Sequence, residues 1–129
     1  MKNLFSKFLI IITMCACFAM TAFAIDTPNV VARLSTTMTS AQSVTTAGTH
    51  KFYGGNNQGS SKHSVDFIAQ RSAGNKFVTD SKTEVTPGKE IDNVLTGFTG
   101  STVLWRLELN PVGLGKKGCT ATGYMWYLM

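Results

Sequence analysis

Tyr53 opens the stretch Tyr53-Gly54-Gly55-Asn56-Asn57-Gln58-Gly59-Ser60-Ser61, in which three glycines and three side-chain amides fall within nine residues. Glycine permits tight bends and positive φ, and each amide carries donors and an acceptor on one planar group. The stretch therefore reads as a loop. Toward the other end of the chain Tyr124, Trp126 and Tyr127 supply flat apolar faces with polar tips. Planar hydrogen-bonding groups beside aromatic rings are the chemical needs of a surface site for a sugar or a peptide. Tyr53, Asn56, Asn57, Gln58, Tyr124 and Trp126 are accordingly the candidate binding residues. The competing role for such rings is core or sheet-edge packing.

Catalytic chemistry is poorly provided for. His50 and His63 are the only histidines, and no H-E-x-x-H, C-x-x-C or acidic calcium-loop pattern occurs, so no metal site is expected. The carboxylates Asp26, Asp66, Asp80, Glu84, Glu90, Asp92 and Glu108 are scattered. A glycosidase would need two of them facing each other across a cleft, and a chain of this size has little material to build one. Glu108 is expected to pair with Arg106 or a cross-strand cation on a solvated sheet face. G-x-S-x-G is absent and Cys119 has no local base, which removes the usual nucleophiles. The expectation is a protein without catalytic residues, metal or cofactor.

The elements that must carry these residues show a period of two. In Ser101–Asn110 the residues Val103, Trp105, Leu107 and Leu109 alternate with Thr102, Arg106 and Glu108, the pattern of a half-buried strand with Trp105 as a core anchor. A first strand runs from Asn29 through Thr39, with Val30, Ala32, Leu34 and Met38 on one face. Pro28 stands just before it, where a missing N–H costs no ladder bond. Ser40 to Phe52 reads as a second strand interrupted near Ala47-Gly48, its threonines being stiff at χ1 and suited to a pleated surface. Lys62–Gln70 turns Val65 and Phe67 inward. Ser72-Ala73-Gly74-Asn75 forms a hairpin connection to Lys76–Ser81, and Pro87-Gly88 is a tight turn. Ile91–Phe98 is spaced for either a strand or a short helix. A glycine-rich connection with Lys116 and Lys117 at its tip leads to the last run, Cys119–Met129, expected to return antiparallel to the Ser101–Asn110 strand. Near its end that run is apolar on both faces, as in a strand covered on both sides or one used for contact.

Residues 1–24 have the features of an export signal. Lys2 and Lys7 give a positive start, Phe8–Met20 is mainly apolar, and Ala22-Phe23-Ala24 offers small residues at a cleavage site. A lipoprotein variant acylated at Cys17 fits the local sequence poorly. Residues 25–129 then form a single secreted domain, and with two of the three cysteines lost Cys119 has no intramolecular partner. The net charge of +5, which falls to +3 once Lys2 and Lys7 leave with the signal, is spread over scattered residues without a basic stripe, which argues against nucleic acid. Short strands, glycine-rich turns and no helical repeat predict an all-β fold, a small antiparallel β-sandwich of about six to eight strands. The expected role is that of a secreted bacterial binding or interaction module, free of a transmembrane segment, meeting an extracellular glycan or protein surface outside the cell or in a periplasm. The competing class is a small secreted toxin, bacteriocin-like effector or enzyme inhibitor.

Overall fold

The computed structural model describes residues 25–113 and 115–128, so the export-signal reading of residues 1–24 lies outside the described residues. Nine strands follow in order: β1 (Ile25–Leu34), β2 (Ala41–Gln42), β3 (Thr46–Gly48), β4 (Phe52–Asn57), β5 (Val65–Ala73), β6 (Lys76–Val85), β7 (Glu90–Leu95), β8 (Val103–Pro111) and β9 (Ala121–Leu128). They build two antiparallel sheets packed together, a four-stranded one in the order β1-β9-β4-β7 and a five-stranded one in the order β2-β8-β5-β6, with β3 also on β8. This is the all-β sandwich that the two-residue period predicts.

The core lies between the sheets and follows parity. Trp105, Leu107 and Leu109 of β8 are fully buried, as are Val65, Phe67 and Ala69 of β5. Val30, Ala32 and Leu34 of β1 and Met125 of β9 close over them from the other sheet. Leu104, the one large apolar residue on the outer face of β8, stays 46% exposed. Trp105 is pinned as well as packed, since its Nε1 donates to the Gly48 carbonyl at 2.8 Å. That bond satisfies the single polar atom of the largest core side chain, which would otherwise pay a desolvation cost.

Several elements differ from the sequence expectation. The first strand ends at Leu34, and Ser35–Met38 forms a turn closed by a bond from the Met38 N–H to the Ser35 carbonyl. Pro28 falls inside β1, but within the interval where the β1–β9 ladder is interrupted, so it still displaces no ladder bond. The edge strand formed by β2 and β3 breaks at Ser43–Thr45, not at Ala47-Gly48. Ser43 bridges that break: its N–H donates to the Leu107 carbonyl and its Oγ accepts from the Leu107 N–H. Phe52 belongs to the other sheet, at the start of β4. Residues 90–95 are strand rather than helix. The last strand does not return to β8. It crosses to the opposite sheet and lies between β1 and β4.

The largest correction concerns Tyr53–Asn57, expected as loop and found as strand β4. Its glycines serve close approach rather than bending. A Cβ on Gly55, which has φ +148, would lie 2.1 Å from the Thr122 carbonyl oxygen and 2.7 Å from the Phe67 ring. Gly123, its register partner on β9, would place a Cβ 2.7 Å from Leu107 and 3.2 Å from the same Phe67 ring. The paired glycines make the hollow that side chains of the opposite sheet fill.

Candidate functional site

The candidate residues divide between the two faces of β4. Odd positions point inward. Tyr53 is fully buried, and its hydroxyl is hydrogen-bonded to Ser81 Oγ at 2.7 Å and Thr83 Oγ1 at 2.9 Å, both on β6 of the opposite sheet. It is a cross-core tie and offers no ring to a ligand. Asn57, 1% exposed, donates through Nδ2 to the carbonyls of His63 at 3.0 Å and Val85 at 2.8 Å. It fastens the end of β4 to the neighbouring segments, while its Oδ1 has no hydrogen-bond partner among the described residues.

Even positions point outward, and the register places them in rows across the four-stranded sheet. Phe52 lies between Trp126 of β9 and Leu95 of β7, with the Phe52 and Trp126 rings stacked at 6.4 Å and 17°. One row further on, Gly54 stands beside Tyr124. In the next row Asn56 lies between Thr122 and Glu90. The β4–β7 ladder slips between Tyr53 and Gly55, so that Asp92 and Asn93 together oppose Gly54. Such a bulge re-aims side chains, and here it holds Asn93 at φ 52, a conformation that asparagine tolerates better than most residues. It also needs a glycine opposite, because a Cβ on Gly54 would meet the Ile91 carbonyl oxygen at 2.7 Å.

A missing side chain in the middle row leaves a depression of about 230 Å³. Gly54 and Gly55 contribute to it, with Tyr124 and Trp126 from β9, Asn56 from β4, and Glu90, Ile91 and Asp92 from β7. A second, wider depression of about 600 Å³ adjoins it, lined by Asn56, Asn57, Gln58, Gly59, Gly88, Lys89 and Glu90. Asn56 and Glu90 belong to both, so the two form one trough running from the aromatic rings to the Pro87-Gly88 turn. Of the six candidates, Asn56, Gln58, Tyr124 and Trp126 therefore present side chains to one continuous surface, whereas Tyr53 and Asn57 are turned into the core. Tyr124 is the accessible ring at 37% exposure, whereas Trp126 retains only 9% beneath its stacking with Phe52.

Glu90 and Asp92 were not singled out from the sequence. They were two of many scattered carboxylates on a segment readable as helix, and only the register of β7 against β4 sets them across from the rings. Their electrostatic setting differs from that of three carboxylates on the opposite sheet. Asp80 contacts Arg71 at 3.4 Å and accepts from the Gly97 N–H, Asp66 contacts Lys82 at 3.9 Å, and Glu108 accepts from Gln42 at 2.9 Å instead of pairing with Arg106. Arg106 bonds Gln70 Oε1 at 2.7 Å and lies over the Phe77 ring. The side chains of Glu90 and Asp92 have no hydrogen bond or ion pair among the described residues.

The histidines occupy other surroundings. His50 sits among rings, 4.8 Å from Tyr127 and 5.9 Å from Phe98, and its Nδ1 contacts Thr49 Oγ1 at 3.2 Å. Tyr127 thus joins this second aromatic group, where the Lys51 ammonium lies 5.6 Å from its ring centre. Among the described residues no three His, Cys, Asp or Glu side chains are grouped to hold a metal ion, and no helix is long and apolar enough to cross a membrane. No protein-family model, curated protein or solved structure matches the chain.

Proposed function

We propose that the protein is an exported, non-catalytic binding module that holds an extracellular glycan in the trough on the outer face of its four-stranded sheet. The observation that supports this reading is the meeting of the Tyr124 ring with the Asn56 amide and two carboxylates around a floor of glycine. Rings on β9 and carboxylates on β7 are separated by one intervening strand, hence by about 9 to 10 Å at the usual strand spacing. A slot of that width admits a single sugar ring, whose apolar face suits an aromatic side chain and whose hydroxyls suit planar acceptors.

A glycan array with the purified chain tests it. Tyr124→Ala and Asn56→Ala, both at exposed positions, are expected to weaken saccharide binding by about tenfold each, the factor that ~1.4 kcal/mol supplies, without changing the circular dichroism spectrum. Tyr53→Ala and Trp126→Ala are unsuitable controls, because both remove buried rings. The alternative reading, a secreted effector or inhibitor that works by protein contact, has its own support in Phe98 and Leu95, which are 74% and 55% exposed. Killing or permeabilisation of neighbouring cells that Phe98→Ser abolishes, with no saccharide binding, would favour it.

A further inference from the structure

We infer that the sugar unit seated at the aromatic end of the trough carries a protonated amine. This rests on the glycan reading and adds the charge of the ligand to it. Glu90 and Asp92 line the smaller depression with Tyr124 and are exposed. Asp66, Asp80 and Glu108 each have a cationic or hydrogen-bonding partner, and these two have none among the described residues. Glu84 is also without one, but it stands on β6, an edge strand of the other sheet. Two carboxylates without an ion-pair partner among the described residues, on a protein whose net charge is positive with or without Lys2 and Lys7, make this depression a local exception to the molecule's overall sign.

An ammonium on the sugar makes charge-assisted hydrogen bonds to the carboxylates, while the apolar face of the same unit meets the Tyr124 ring across the slot. A uronic or sialic acid would meet like charge at the same place. Neither Lys89, which lines the wider depression, nor Arg33, in register with Thr122 on the opposite edge of the sheet, lines the smaller one. The expected ligand is therefore a chain of at least two units, with an amino sugar over Gly54 beside Tyr124 and the next unit running toward Asn56 and Gln58.

Titration calorimetry of the full chain with a glucosamine tetramer, its fully N-acetylated counterpart and a glucose tetramer of the same linkage tests this. The glucosamine tetramer is expected to bind about tenfold more tightly than either neutral chain, with a preference that falls as added salt screens exposed charges. In the paired variant Glu90→Gln, Asp92→Asn the preference for the glucosamine tetramer over the neutral chains should vanish, and an unchanged circular dichroism spectrum checks that it folds. Equal affinity for charged and neutral chains, or a preference that survives the double substitution, overturns the inference and leaves the glycan reading standing. Failure of all three saccharides to bind overturns both, as does capture of a lysine-rich peptide in their place.

Discussion

Tyr53 illustrates how a single hydroxyl can decide a residue's role. Its ring spans the space between the sheets, and its oxygen ends between two hydroxyls of β6. Tyr53→Phe should cost about 0.5–1.5 kcal/mol, the usual net worth of a hydrogen bond, and Tyr53→Ala about 3–5 kcal/mol through the cavity it leaves. Urea unfolding of both variants measures the difference. Asp66 permits a prediction of pH dependence. Burial, with a smaller contribution from Glu84 directly opposite on β6, raises its carboxyl above the ordinary value of 3.8, and Lys82 opposes the shift. The folded state therefore holds the proton at pH values where the unfolded chain has released it. Stability from this group is greatest below 3.8 and is lost as pH rises through the raised value. Asp66→Asn should flatten that part of the profile, seen as a urea midpoint that no longer declines over the same interval. None of this was legible at Tyr53 or Asp66 beforehand. An amide-rich neighbourhood suggested surface for the first, and the second differs from other scattered carboxylates only through what packs on it.

Among the elements, β8 was readable because large residues alternate without interruption, whereas β4 was hidden by the glycines it needs. Gly55 and Gly123 face each other in register under Phe67, so the two weakest strand formers mark the tightest inter-sheet contact. Gly123→Ala should destabilise by about 1–3 kcal/mol, the range for overpacking against side chains that can shift. Gly55→Ala should cost more, since its Cβ would strike the Thr122 backbone and its φ disfavours any side chain. Thermal denaturation of the two variants ranks them, and equal midpoints would contradict the packing argument. The same reasoning explains why the trough was only partly visible in the sequence. Asn56, Tyr124 and Trp126 could be chosen by residue type. Glu90 and Asp92 required the register of β7, a segment whose spacing of Ile91, Val94, Leu95 and Phe98 suits a helix equally well.

At the scale of the molecule the sandwich closes through β1 and β9, the first and last strands among the described residues. β9, the last strand, lies between β1, the first, and β4, so the four-stranded sheet has no continuous ladder until residues about a hundred positions apart in sequence have met. Loop-closure entropy must be lost before those contacts return anything. No disulfide shortens the search from Ile25 onward, Cys119 being a free, buried thiol whose Sγ lies 3.4 Å from the His63 carbonyl. Folding is therefore expected in the millisecond-to-second range of non-local β-proteins, with a rate indifferent to reductant. The two tryptophans give each sheet its own reporter, Trp105 on β8 and Trp126 on β9. Core residues of both sheets form one cluster, and neither face can exclude water alone, so the sheets should appear together. Stopped-flow fluorescence on Trp105→Phe and Trp126→Phe, each retaining one reporter, should give a single exponential for each variant. Once each rate is corrected for the variant's own stability, the two should agree within about twofold, the residual that partitioning of a mutation's effect between folding and unfolding leaves. An early phase seen only by Trp105 would mean that the five-stranded sheet forms first and templates the other.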